Sequence, residues 1–213
     1  MVAAGIGVLA GCGSGSPAVL SENVGFPQIA DLGAKLAELI IQSRGGVGAT
    51  PGDWGFDYSD FEVVSANGSS LRGWFIPAPN SKATVIFHQG NNGNRSNYLP
   101  AAAVFVPNGY SLILYDYQGF GDSEGESDFN TLLQDGLAVH AWAASNVGGP
   151  FASMGASLGG PVAAYVAQNA AGVRALMLDS PLVVEELALF YMSTLSGVDF
   201  DPALEPVARS IVL

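Results

Sequence analysis

Three stretches of the chain are apolar almost without a break: "ATVIFH" (83–88), "SLILYD" (111–116) and "RALMLD" (174–179). Unbroken runs of this length suit strands covered on both faces, as in a parallel sheet flanked by helices. A fourth strand is expected over 150–154. Between the runs lie stretches with helical spacing, at 98–106, 129–145 and 159–168. Ahead of them, "FEVVS" and "LRGWFI" flank "ANGSS", which reads as a hairpin turning at Asn67-Gly68. A hairpin followed by strand–helix alternation predicts an α/β sheet with crossover helices.

The first part of the chain follows a different pattern. Residues 28–43 place Ile29, Leu32, Leu36, Leu39 and Ile40 on one face of a helix, and "RGGVGATPGDWG" is a Gly/Pro-dense loop. Before the helix, "VLAGCGSGSP" puts the only cysteine, Cys12, after a short apolar run and two small residues and before a Gly/Ser tether. That arrangement resembles the lipobox of bacterial lipoproteins, in which the peptide is cut before a cysteine that becomes lipidated. The expected organisation is therefore a lipoprotein-type signal segment over 1–12, a linker and N-terminal helix over 13–55, and one catalytic-type domain over 56–213. The implied destination is the bacterial cell envelope, with the protein exported and anchored to the membrane by lipid.

Composition narrows the function classes. Apolar residues are 49% and charged residues only 12%, which excludes a disordered or coiled-coil chain. The formal net charge is −12, and no basic cluster occurs, which argues against nucleic-acid binding and against electrostatic docking on anionic lipid. No metal-ligand cluster or phosphate loop is present, so no cofactor is implied.

The candidate chemistry lies in "SMGASLGG" (153–160). Ser157 stands between Gly155 and Gly159, after a strand and before a helix, which is the setting of a nucleophile elbow. The turn strains the serine backbone, its neighbours two residues away must be small, and Gly160 lets the following helix pack closely. The N–H of Leu158, at the helix N-terminus, faces the place where an oxyanion would form. A second N–H is assigned to Asn91, in the Gly-rich loop after 83–88.

The motifs together resemble the α/β-hydrolase superfamily, and within it the Bem46/ABHD13-like group of serine hydrolases, which includes bacterial lipoprotein hydrolases. The resemblance rests on Gly90, Asn91 and Asn94, on Asp116, Tyr117, Gly119, Phe120, Gly121, Ser123 and Gly125, and on Gly155, Ser157, Gly159 and Gly160. It spans about residues 56–213. Two positions depart from the group's pattern: Gln89 stands where a His is usual, and Gln118 replaces an Arg. The resemblance implies an α/β-hydrolase fold, a mostly parallel sheet flanked by helices, here lacking the last two strands. It also implies a serine hydrolase, esterase-like, that acts on a small-molecule ester or amide through an acyl-enzyme on Ser157.

A nucleophilic serine needs a base. The only histidines are His88 and His140, both ahead of Ser157, whereas this fold places its triad in the order Ser, acid, His. His88 reads as a residue that orients the oxyanion loop, and His140, in register with Leu133 and Leu137, as a core histidine. Asp179, in "DSP", reads as part of a turn and helix cap. The triad acid and His are therefore expected beyond position 213, in a chain truncated at its C-terminus. The run 174–179, apolar on both faces and without an internal Lys or Pro, is otherwise an unguarded sheet edge. The alternative is a non-catalytic binding or remnant lipoprotein of the same fold without a working triad.

Overall fold

The computed structural model describes residue 41 and residues 45–91 and 93–182. The Cys12 segment lies outside these residues, and the helix expected over 28–43 almost wholly so. Six strands form one sheet: β1 (Ser59–Val64), β2 (Ser70–Ile76), β3 (Ala83–His88), β4 (Tyr110–Tyr115), β5 (Phe151–Ala156) and β6 (Val173–Asp179). Their order across the sheet is β1-β2-β4-β3-β5-β6. The hairpin β1–β2 and the β2–β4 pair are antiparallel, while β3–β4, β3–β5 and β5–β6 are parallel.

The apolar runs are explained by which face each side chain takes. Ile86, Ile113 and Tyr115 point into one core with Leu132, Val139, Val162 and Val166 of helices α2 (Phe129–Asn146) and α3 (Gly159–Asn169). Val85, Phe87, Leu112 and Leu114 point into the other, against Leu99, Ala102 and helix α1 (Pro100–Phe105). Both faces are covered, so neither can be polar. Helix α2 starts on a capping box, with the Asp128 carboxylate accepting the Thr131 N–H at 2.7 Å and Thr131 Oγ1 accepting the Asp128 N–H at 2.7 Å.

The stretch expected as one helix over 98–106 is divided instead. A 3-10 turn (Arg95–Tyr98), α1 and a second 3-10 turn (Val106–Asn108) follow one another. Pro100 sits at the first position of α1, where its missing N–H is harmless, and Pro107 lies in the closing turn. Strand β6 pairs with β5 and has no second neighbour among the described residues, and Leu176 and Leu178 are 44% and 47% exposed on it.

Candidate active site

Ser157 follows directly on β5, immediately before α3, with φ at +49°. A left-handed φ is costly for a side chain with a Cβ, and it turns the chain sharply enough to present the serine to solvent. The glycines flanking it are required by close approach. A Cβ on Gly155 would lie 2.1 Å from the Gly159 carbonyl oxygen, and one on Gly159 would lie 1.9 Å from that of His88. Gly160 faces Pro181 rather than a helix, since a Cβ there would lie 2.5 Å from Pro181 Cβ. The Leu158 N–H opens α3 ahead of the first helical residue, Gly159, where the helix dipole favours negative charge.

The loop after β3 rests against this turn. A Cβ on Gly90 would lie 3.4 Å from Ser157 Cβ and 3.2 Å from the Ala156 carbonyl oxygen. The Gly90 N–H donates to Tyr98 Oη at 3.0 Å, and Asn91 is the next residue of this loop. Asn94 caps the 3-10 turn, accepting the Ser96 N–H at 3.0 Å, and donates Nδ2 to the Gly46 carbonyl at 2.9 Å. It shapes the loop.

The 116–125 motif is likewise scaffold. Asp116, fully buried, accepts the Arg95 N–H at 2.7 Å and a guanidinium N–H of Arg95. Arg95 donates a further N–H to Asp122 at 2.9 Å and lies over the Trp74 ring, 4.6 Å from its centroid. Burial pushes the Asp116 carboxyl up, and the Arg95 charge opposes that shift. A Cβ on Gly121 would lie 1.9 Å from Asp116 Oδ2, so only glycine fits beside this ion pair. The pair ties the loop after β3 to the loop after β4. Tyr117 adds a second tie, donating its hydroxyl to the Gln89 carbonyl at 3.1 Å.

Gln118, which departs from the group's arginine, is buried in a neutral counterpart of an ion pair. Its Nε2 donates to Asp135 Oδ1 at 2.7 Å and its N–H to Oδ2 at 2.9 Å, and Ser65 Oγ donates to Oδ1 at 2.6 Å. Burial without a facing cation raises the Asp135 carboxyl above the ordinary carboxylate range. A carboxyl with a raised folded value favours folding in its protonated form. That contribution is full below the unfolded value of about 3.9 and is lost as pH rises through the folded one. The stability advantage of the native protein over Asp135→Asn is therefore expected to be full below pH ~3.9 and to shrink as pH rises above it, as read by urea denaturation at several pH values. A gap that widens with pH would contradict this assignment.

Gln89 is a second buried amide, but neither its Oε1 nor its Nε2 meets a partner among the described residues. Gln89→Met keeps the length of the side chain and removes both polar atoms. It is expected to leave stability unchanged or raise it by up to about 1–3 kcal/mol. A loss of more than about 1 kcal/mol would show that the amide is hydrogen-bonded in solution.

Neither histidine reaches Ser157. His88 Nδ1 lies 2.7 Å from Tyr115 Oη and Nε2 lies 3.0 Å from Ser153 Oγ. Ser153 Oγ donates to the Ala163 carbonyl at 3.0 Å, so it accepts the His88 Nε2–H, and Nδ1 accepts the Tyr115 hydroxyl proton. Both ring nitrogens are thus spent on β4 and β5, although the His88 backbone is in register with Gly155, two residues before Ser157. Burial lowers the His88 pKa to about 3, so the ring is neutral, and it braces β3, β4 and β5 at the foot of the loop after β3. His140 packs edge-on against Phe151, 5.0 Å between ring centroids, at the start of β5, the end away from Ser157. It is a core histidine, although its buried Nε2 has no partner among the described residues. Asp179 is exposed at the end of β6, and its carboxylate accepts the Ser180 hydroxyl at 3.2 Å. Ser180 takes a left-handed φ of +47°, which makes 179–182 a turn and is not the extended backbone of a helix cap. A cavity of about 290 Å³, lined in part by Pro77, Thr84, Ser111 and Pro150, opens at the N-terminal ends of β3 and β5, away from Ser157. Among the described residues no group of three or more His, Cys, Asp or Glu is placed to hold a metal ion.

Comparison with known proteins identifies this arrangement. A family model described as serine aminopeptidase, S33 (Hydrolase_4), matches residues 79–199, more than half of the chain. The chain belongs to this hydrolase family. It is 32% identical over 140 residues to the protein YfhR of Escherichia coli O157:H7, covering 61% of this chain and 49% of that protein. It is 33% identical over 127 residues to Rv2307c of Mycobacterium tuberculosis, covering 57% of this chain and 45% of that one. The chain thus spans about half the length of the curated relatives it matches. Its fold is that of the α/β-hydrolases. A Pyrococcus furiosus esterase superposes with a TM-score of 0.63 at 22% identity, over 81% of this chain and 68% of the esterase. The α/β-hydrolase GrgF of Penicillium superposes with a TM-score of 0.54 at 28% identity, over 67% of this chain and 56% of GrgF. Among the described residues no helix is long and apolar enough to cross a membrane.

Proposed function

We propose that the protein is a serine hydrolase, esterase-like, that works through an acyl-enzyme on Ser157. The observation that carries this reading is the left-handed, solvent-facing serine at the junction of β5 and α3, with the oxyanion loop packed against it. In the proposed reaction Ser157 Oγ adds to the carbonyl carbon of a small-molecule ester or amide as the base takes its proton. The oxyanion is held by the N–H groups of Leu158 and Asn91, and the alcohol or amine leaves with a proton returned by the base. Water then adds to the acyl-enzyme by the same route and releases the acid. Since His88 and His140 are the only histidines in the sequence and both are spent elsewhere, the base and its acid partner come from chain beyond residue 213. The exposed β6 is consistent with further strands following it. Export and lipid anchoring through Cys12 complete the proposal, on the strength of the sequence around that cysteine.

A second reading has its own observation. With His88 bonded to Tyr115 and Ser153 and not to Ser157, the alternative is a non-catalytic binding or remnant lipoprotein of the same fold, with the elbow and without a working triad. A fluorophosphonate probe separates the two. In the full-length protein the probe is expected to mark Ser157, located by mass spectrometry, and Ser157→Ala is expected to lose the mark. Full-length protein that stays unmarked would favour the non-catalytic reading.

A further inference from the structure

Ser157 is held by more than its own strand, turn and helix. Its N–H donates to the Asp179 carbonyl at 2.9 Å. Its carbonyl accepts two N–H groups, from Gly160 at 2.9 Å and from Leu182 at 2.8 Å. The Gly160 bond is local, closing a turn over three residues. The other two bonds come from the 179–182 turn after β6. That turn is fixed on its own account. Pro181 fills the space a Cβ on Gly160 would need, and Leu182 packs against the core cluster that contains Leu158 and Val162. Ser180, at φ +47°, bends the chain back so that the Asp179 carbonyl and the Leu182 N–H both reach the same residue. A non-glycine residue persists in this conformation only where its surroundings hold it.

The bond from Leu182 bears on the oxyanion donor. In a planar trans peptide the C=O and the N–H point in opposite directions. The Ser157 carbonyl and the Leu158 N–H belong to one such peptide, so whatever holds the carbonyl aims the N–H away from it. Accepting hydrogen bonds at the carbonyl also polarises the unit and strengthens its N–H as a donor, by about 10–30% per bond. We propose that Leu182, through its N–H on the Ser157 carbonyl, is a positioning residue that orients and polarises the Leu158 N–H for the oxyanion. The proposal rests on the reading of Ser157 as the nucleophile.

The test replaces the Pro181–Leu182 amide of the full-length protein with an ester, by incorporating the α-hydroxy analogue of leucine at position 182. The side chain stays and the N–H is lost. The Leu158 amide proton is expected to move upfield in the NMR spectrum. Turnover of a p-nitrophenyl ester is expected to fall about three- to tenfold in kcat with KM unchanged. Ser180→Gly, which adopts the left-handed turn freely, is expected to keep both the Leu158 resonance and kcat. In the wild-type protein a scalar coupling across the hydrogen bond from Leu182 N–H to the Ser157 carbonyl is expected, and this requires no variant to fold. Absence of that coupling, an unmoved Leu158 resonance in the ester protein, or a moved resonance with unchanged kcat would each overturn the proposal. Equal loss of kcat in Ser180→Gly and the ester would also overturn it, by placing the effect in the Ser180 side chain. Retention of activity in Ser157→Ala would reject the nucleophile instead, and the Leu158 resonance would still judge the contact.

Discussion

Ser157→Ala in the full-length protein is expected to lower kcat for ester hydrolysis by roughly 10⁴- to 10⁶-fold, leaving only the rate that oxyanion stabilisation and binding sustain without a nucleophile. The size follows from the division of labour in the site. In the proposed mechanism Oγ forms and breaks the covalent bond, so nothing would replace it, whereas an oxyanion N–H contributes about 10²- to 10³-fold. KM is expected to change little, because Oγ adds little to ground-state binding. The fold is expected to survive, because the exposed side chain of Ser157 makes no hydrogen bond among those that hold the elbow, which run through its backbone N–H and carbonyl. Alanine at a left-handed position is no more strained than serine. Steady-state kinetics on p-nitrophenyl esters of several chain lengths would measure the effect. Residual kcat within tenfold of wild type would remove Ser157 from the chemistry.

How far the site could be read in the sequence depends on whether the relevant interactions are local. Strand β3 coincides with the apolar run 83–88, because its boundaries are set by neighbouring turn residues and its two faces by packing that demands apolar side chains on both. The elbow was legible for the same reason: Gly155, Ser157 and Gly159 carry its steric requirements within five residues. The ion pair of Arg95 with Asp116 was not legible. Its partners are 21 residues apart, on loops that meet only once β3 and β4 lie side by side. The one available signal was a lone arginine just after the Gly/Asn-rich loop, and it does not name its partner. Ser180 misled in another way. A serine before proline is a common start to a helix, and its left-handed φ exists only because the elbow waits for two backbone bonds from that turn. The base was legible only by elimination, since the whole sequence has two histidines and the fold spends both.

Loss of the Arg95–Asp116 pair is expected to cost more than any other side-chain change in the scaffold. Asp116→Ala leaves a guanidinium buried beneath the loop, facing Trp74 and the half-exposed carboxylate of Asp122. Breaking one side of such a pair costs about 3–5 kcal/mol, a large share of the ~5–15 kcal/mol that holds a domain folded. Urea denaturation is expected to show that loss, and a change under about 1 kcal/mol would contradict the buried pair. The double variant Arg95→Met with Asp116→Asn removes both charges while keeping apolar volume over Trp74, and it is expected to recover much of the stability. Activity separates the two roles of the pair. Asp116 accepts the Arg95 backbone N–H as well as its side chain, so it anchors the loop whose Gly90 leans on Ser157. If the pair only stabilised the fold, the double variant would regain activity along with stability. If it also places the Asn91 N–H over the oxyanion, kcat stays low in a protein that folds well, and that second outcome is expected, because the double variant keeps only the backbone N–H of residue 95 to hold the loop and loses the charge pair.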